Sequence, residues 1–184
     1  MRVLLVYGSS EGQTRKIAAF AADCLRSLGH RVICADAKDA LALPHPGEFD
    51  AVLIAASVHL GRYQPAVIRF VRQHRAAISA RPNAFLSVSL AAAGRESDDI
   101  AGLEKCVADF EESSGWTPQL IHHAAGAFRY SAYGFLTRWA MRYIAHRKGA
   151  PTDTARDYEM TDWDDVARFA GEFASRRHPL SIRG

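Results

Sequence analysis

Short β-rich apolar runs alternate with longer amphipathic segments along most of this 184-residue chain. Five runs are predicted as strands, at 2–7, 31–35, 50–57, 83–90 and within 117–128. Four segments carry apolar side chains at helical spacing and are predicted as helices, at 14–28, 66–78, 98–113 and 161–176. Strands that alternate with helices form a parallel sheet, and right-handed crossovers place helices on both faces. The sequence therefore predicts an α/β fold with a doubly wound, five-stranded parallel sheet.

The composition excludes several other classes of protein. Apolar residues make up 48% and charged residues 23% of the chain, which is typical of a globular domain and not of a disordered chain. No apolar run reaches the roughly 18 residues of a membrane-spanning helix. The first residues enter the first strand without a basic segment and cleavage site, so we expect no signal peptide and a cytoplasmic protein.

The cysteines and histidines indicate neither a disulfide framework nor a metal site. Cys24, Cys34 and Cys106 are an odd number, far apart and without a CxxC pair, and we expect them to be small buried residues in a reducing compartment. His122 and His123 are neighbours within the fifth strand, where successive side chains point to opposite faces. We therefore expect each histidine to face a helix and predict no metal ion.

Residues 129–160 separate the fifth strand from the last helix, whereas a usual βα loop has about 2–6 residues. We predict one domain over 1–184 that carries this stretch as an insertion. Its first part, 129–148, contains basic residues and no acid, although the net charge of the whole chain is only +3. The residues expected to contact a substrate or a membrane are Arg129, Arg138, Trp139, Arg142, Arg147 and Lys148.

A basic, aromatic, amphipathic helix within 129–148 has two interpretations. It is typical of helices that lie on a membrane surface, and arginine also binds carboxylate groups through paired hydrogen bonds. Alternatively, the apolar stripe of the helix packs on the domain and the charges are solvated. Both readings remain open, while nucleic-acid binding is disfavoured.

The loop after the first strand has the residue types of an anion site. It supplies hydroxyl groups, a flexible backbone and the N-terminus of a helix, where N–H groups are unpaired and the helix dipole is positive. Its residues are Ser9, Ser10, Glu11, Gly12, Gln13 and Thr14. It has no lysine and no GxGxxG pattern, which excludes a P-loop and a dinucleotide fingerprint. A phosphate monoester held by neutral donors is one reading, and a polar turn capped by serine or threonine is the other.

Two further loops follow the third and fourth strands. In open α/β sheets, ligands bind beyond the carboxyl ends of the strands, so these loops should complete one site. The first comprises Ser57, Val58, His59, Leu60, Gly61, Arg62 and Tyr63. The second comprises Ser89, Leu90, Ala91, Ala92, Ala93 and Gly94. Both are rich in small residues and could approach a flat ring with their backbones.

Several stretches resemble the menaquinone-dependent protoporphyrinogen IX dehydrogenase family, whose members have a flavodoxin-like fold. The resemblance rests on EGQTRKIA, ASVHLGRYQPAVIRFV and NAFLSVSL, and on the insertion stretches AGAFRYSAYGFLTRWAMRYI and PTDTARDYEMTDWDDVARFA. It covers nearly the whole chain, and the insertion is its most specific part because plain flavodoxins lack it. The sequence departs from the family pattern at His59 and Leu60, where arginine and an aromatic residue are usual, and at Ser89, where asparagine is usual.

The resemblance implies an FMN enzyme that oxidises protoporphyrinogen IX and passes the electrons to a quinone, peripherally on the cytoplasmic face of the inner membrane. It implies that the loop from Ser9 to Thr14 holds the FMN phosphate, and that residues 57–63 and 89–94 flank the isoalloxazine ring. His59 is the candidate for proton transfer. Whether Tyr63 stacks on the ring or packs against the following helix is open. A flavodoxin-like electron carrier and an NAD(P)H-quinone reductase are the alternative functions.

Overall fold

The computed structural model describes residues 1–39, 43–59, 61–93, 97–128 and 158–176. The main-sheet strands are β1 (Arg2–Gly8), β2 (Arg31–Asp36), β3 (Ala51–Ser57), β4 (Asn83–Ser89) and β5 (Ile121–Ala125). The helices are α1 (Gln13–Ser27), α2 (Pro65–Ser79), α3 (Ser97–Ser114) and α4 (Trp163–Ser175). The strands are all parallel, in the order β2-β1-β3-β4-β5. The predicted doubly wound sheet is confirmed.

Alternating side chains of the central strands enter two separate cores. Val3 and Leu5 of β1 pack in one core with residues of α1 and α4. Leu4 and Val6 of the same strand pack in the other core with residues of α2 and α3. Because both faces are covered, β1, β3 and β4 consist almost entirely of buried residues, as expected for a parallel sheet with helices on both sides.

The order of the strands reverses between β1 and β3. The chain turns from β1 into α1 on one face of the sheet, and from β3 into α2 on the other face. The carboxyl ends of these two neighbouring strands therefore diverge into opposite layers and leave a crevice, the usual place for a ligand in such sheets.

The insertion leaves and rejoins the domain beside the end of β5. Strand β6 (Ala127–Phe128) pairs antiparallel with β7 (Tyr158–Glu159), and the Met160 N–H donates to the Gly126 carbonyl oxygen at 3.1 Å. The predicted basic helix, with Arg129, Arg138, Trp139, Arg142, Arg147 and Lys148, lies outside the described residues. In the part of the chain that the structure describes, no helix is long and apolar enough to cross a membrane.

The predicted burial of the cysteines is wrong, because Cys24, Cys34 and Cys106 are all partly exposed at the margins of the two cores. The prediction for the histidine pair is confirmed for His122, whose ring stacks on Phe169 of α4 at 4.9 Å between centroids. No group of three histidine, cysteine or acidic side chains suited to a metal ion occurs within the described ranges.

Candidate active site

A cavity of about 270 Å³ lies at the carboxyl ends of the central strands. It is bounded by the loops after β1, β3 and β4 and by the turn between β5 and β6. The lining residues are Ser9, Ser10, Glu11, Gln13, Thr14, Ser57, Val58, His59, Val88, Ser89, Leu90, Gly126 and Ala127. Three loops that are far apart in sequence thus meet in one site, because parallel strands end at the same edge of the sheet.

The N-terminus of α1 forms the polar end of this cavity without a side-chain cap. The N-cap residue is Gly12, with φ of 91°, which has no side chain to cap the helix. Ser9 instead accepts a hydrogen bond from the Gly12 N–H, at 2.9 Å. Serine thus closes the turn within the loop, as one of the two readings expected, while the N-cap residue of α1 gives the helix no side-chain cap. The first N–H groups of α1 keep their capacity to bind an anion.

Thr14 adds a buried hydroxyl group to the same end of the cavity. Its side chain is only 1% exposed, and its Oγ1 has no hydrogen-bond partner within the described ranges. Leaving a buried hydroxyl unpaired costs about 1–3 kcal/mol. An acceptor oxygen of a bound anion would satisfy it, so the donor set suits a phosphate group.

The sheet and its crossovers are shared with solved flavodoxins. An archaeal flavodoxin matches with a TM-score of 0.54 and 16% identity, over 95% of this chain and 96% of that one. Flavodoxin 2 of Bacillus cereus matches with a TM-score of 0.53 and 16% identity, over 95% and 98% of the two chains. At this identity the likeness concerns the fold alone.

The family model of the flavodoxin domain matches residues 4–155. Protoporphyrinogen IX dehydrogenase [quinone] of Escherichia coli K12 is 34% identical over 176 residues, which are 95% of each chain. The protein of the same name from Leishmania major is 33% identical over 183 residues, which are 98% of this chain and 77% of the relative. The chain belongs to the flavodoxin domain family, together with these dehydrogenases.

In this flavodoxin domain, ten of the residues predicted at the cofactor site line the cavity. Gly12 is the N-cap residue of α1, next to the lining residues Glu11 and Gln13. Ala92 contacts the lining residue Ser89, because its N–H donates to Ser89 Oγ at 3.1 Å. Ala91 and Ala93 belong to the same short turn, whereas Leu60 and Gly94 lie outside the described residues. Gly61 lines a different groove, between the start of α2 and the C-terminal half of α3.

Tyr63 packs in the core and does not line the cavity, which corrects its predicted place at the cofactor. It is 4% exposed, its hydroxyl group lies 2.7 Å from Ser87 Oγ, and its ring contacts Phe85 and Phe110 edge-on. Burial raises the pKa of Tyr63 to about 12, so the phenol stays neutral at physiological pH. Of the two readings of Tyr63, packing is the one that the structure supports.

A group of residues that the sequence did not predict joins the insertion to the site. Gln13 Nε2 donates to Glu159 Oε1 at 3.2 Å and to Thr161 Oγ1 at 2.9 Å, and Thr161 Oγ1 donates to the Ala125 carbonyl oxygen at 2.8 Å. Lys16 Nζ lies 2.6 Å from Glu159 Oε2. Both side-chain hydrogens of Gln13 are thereby used within the protein, so Gln13 would face a ligand with its backbone N–H. No local pattern in the sequence signals this pairing, because Glu159 lies 143 positions from Lys16.

Replacing Glu159 with glutamine is expected to lower the free energy of unfolding by about 0.5 kcal/mol at pH 7, the usual size for a solvated ion pair. Burial opposes ionisation of Glu159, but hydrogen bonds from Lys16 and Gln13 outweigh it and hold the pKa of the carboxyl below its ordinary value. The stabilisation is therefore fully present above the unfolded pKa of about 4.3 and is lost as the pH falls through the folded value.

Urea unfolding of both proteins at pH 7 and at pH 3 would measure this effect. Glu112→Gln is the matched control, because Glu112 is an exposed glutamate of α3 far from Lys16 along the chain. We expect the difference between wild type and Glu159→Gln to shrink at low pH, and that for Glu112→Gln to stay near zero. Equal pH dependence of the two variants would contradict the pairing.

Proposed function

We propose that this chain oxidises protoporphyrinogen IX to protoporphyrin IX with bound FMN and passes the electrons to a quinone. The observation that carries the proposal is its identity of 34%, over 95% of both chains, with a dehydrogenase of that name. The cavity supports it, because its uncapped helix N-terminus and unpaired Thr14 hydroxyl suit the phosphate of a flavin nucleotide.

The chain's own residues would bind and shield the cofactor. Ser9, Ser10, Thr14 and the first N–H groups of α1 would hold the phosphate with neutral donors. The apolar side chains of Val58, Val88 and Leu90 would exclude water from the region beside the ring. The chemistry that bound FMN would supply is the transfer of electron pairs from the porphyrinogen to the quinone, which takes up protons to become a quinol.

The activity can be tested by mixing the FMN-loaded protein anaerobically with protoporphyrinogen IX and a quinone. Porphyrin fluorescence should rise faster than without protein, and the rise should depend on the quinone. No acceleration, in a protein that binds FMN, would contradict the proposal and favour an electron carrier. Quinone-dependent oxidation of NADH or NADPH without porphyrinogen would favour a quinone reductase.

We propose His59 as the group that takes a proton from the substrate. Within the described part of the cavity, His59 and Glu11 are the titratable side chains that line it, and His59 is exposed at its rim. The nitrogen of a neutral imidazole ring can accept a proton from a substrate held within hydrogen-bond reach. His59→Gln, which cannot accept a proton, should lower kcat while the dissociation constant of FMN stays the same, and an unchanged kcat would contradict the assignment.

We propose that the basic stretch 129–148 places the protein on an anionic membrane surface, where quinones reside. Each arginine near such a surface contributes about 1 kcal/mol, so replacing both Arg138 and Arg142 with glutamine should weaken vesicle binding roughly 30-fold. Sedimentation with vesicles containing anionic lipid would measure the binding. Arg31→Gln/Arg69→Gln, which removes two exposed arginines elsewhere, is the control with the same net charge. Equal losses in both double variants would contradict the proposal.

A further inference from the structure

Gln64 connects two of the loops that form the cavity, although the sequence did not single it out. It is the N-cap residue of α2 and is 9% exposed. Its Nε2 donates to Ser10 Oγ at 3.1 Å and to Ser57 Oγ at 2.5 Å, and its Oε1 accepts from the Ser57 N–H at 3.2 Å. One amide group therefore joins the end of β3 to the loop after β1.

The orientation of this amide group follows from its backbone partner. The Ser57 N–H can only donate, so the atom facing it must be the oxygen of Gln64 and the other atom must be the nitrogen. Gly8 allows the close approach, because a Cβ there would lie 3.0 Å from Gln64 Oε1 and 2.4 Å from Val67 Cγ2. The Gln64 side chain is thus fixed by its hydrogen bond from Ser57 and by its close packing against Gly8.

The amide nitrogen in turn sets the direction of two hydroxyl groups. An NH2 group donates both of its hydrogens and accepts nothing, so Ser10 and Ser57 are both acceptors toward Gln64. Each serine keeps one hydrogen of its own, which the bond from Gln64 does not use. Both serines line the cavity, so both hydrogens are available to a ligand there.

We propose that Gln64 is a positioning residue that turns the hydroxyl groups of Ser10 and Ser57 into donors toward the bound cofactor. The inference rests on the proposed function and goes beyond it. Ser10 would donate to an oxygen of the phosphate, and Ser57 to an acceptor atom elsewhere on the flavin. The loop itself contains no lysine, so the direction of each hydroxyl group in it contributes to affinity for the phosphate.

The test compares the dissociation constants of FMN and riboflavin, since only FMN carries the phosphate. Gln64→Met keeps the length of the side chain and removes the amide, leaving the Ser10 hydroxyl free to rotate. We expect FMN binding to weaken about tenfold, at the upper end of what one hydrogen bond contributes, and riboflavin binding to weaken less. Gln73→Met, at an exposed glutamine of the same helix, should change neither constant.

A double-substitution cycle separates positioning from a general loss of structure. Ser10→Ala should weaken FMN binding by a similar factor. Adding Gln64→Met to it should then cost only the smaller factor that Gln64→Met costs in riboflavin binding, because that factor comes from Ser57 and the phosphate donor is already gone. The proposal would be overturned if the double variant weakened FMN binding by the product of the two single factors, or if Gln64→Met weakened FMN and riboflavin binding equally. Wild-type protein that binds neither flavin would instead overturn the proposed function.

Gln64→Glu provides a second variant if the methionine variant does not fold. Its carboxylate can still accept from the Ser57 N–H, but it can only accept from the two hydroxyl groups and so draws their hydrogens away from the cavity. We expect FMN affinity to fall more than in Ser10→Ala, with the circular dichroism spectrum unchanged. FMN affinity equal to that of wild type would overturn the proposal.

Discussion

Replacing Ser10 with aspartate is expected to weaken FMN binding more than 100-fold without destabilising the fold. Ser10 is exposed at the rim of the cavity, beside the N-terminus of α1. Two unit charges about 4 Å apart repel each other by about 4 kcal/mol at an effective dielectric constant of about 20, and the phosphate of FMN carries such charge. The same carboxylate interacts favourably with the helix dipole, by about 0.3–1 kcal/mol, so the apo protein should be as stable as wild type or slightly more so.

Flavin titrations and thermal unfolding of the same samples would separate these two effects. Ser10→Asn is the matched control, with nearly the same shape and no charge, and we expect it to weaken FMN binding by no more than about tenfold, the loss of one hydrogen bond. Riboflavin, which has no phosphate, should bind Ser10→Asp about as well as Ser10→Asn. Undiminished FMN binding by Ser10→Asp would mean that the phosphate lies elsewhere.

The elements of the sheet could be predicted because burial on both faces leaves a plain signature in the sequence. β3 and β4 are runs of mostly apolar, buried residues, and the helices carry apolar side chains at helical spacing. β2 lies at the edge of the sheet and is only half-buried, so its signal is weaker. β6 and β7, with two residues each, could not be predicted, since the residues that pair lie far apart in the sequence.

The site could be predicted where its chemistry is local, and not where it depends on packing between distant segments. The loop from Ser9 to Thr14 has hydroxyl groups and glycine directly between a strand and a helix, which identifies it without a structure. Tyr63 lies in an equally suggestive loop, but its direction is set by Phe85 and Phe110, which belong to other elements. Gln64 bonds to Ser10, a contact across 54 positions that no local pattern reports.

Phe85→Ala is expected to have the largest effect on stability, because Phe85 is at the centre of the aromatic core between the sheet, α2 and α3. It is fully buried, its ring stacks on Phe110 at 4.6 Å between centroids, and Tyr63 and Trp116 meet it edge-on. Removing a buried phenylalanine costs about 3–5 kcal/mol, a large part of the roughly 5–15 kcal/mol that stabilises a typical domain. Phe85→Leu keeps most of the volume and should cost much less.

Urea unfolding of the apo and FMN-saturated proteins would place this effect in the core and not in the site. Phe20→Ala is the comparison, since Phe20 is half-buried and meets Trp163 at 4.8 Å, so it should cost less than Phe85→Ala. Phe85 does not line the cavity, so folded Phe85→Ala protein should still bind FMN, and ligand at 100 times its dissociation constant should restore about 2.7 kcal/mol. A loss smaller than that of Phe20→Ala would contradict the central place of Phe85 in the core. Folded protein without FMN affinity would mean that this aromatic cluster also shapes the cavity, through the bond from Tyr63 to Ser87 on β4.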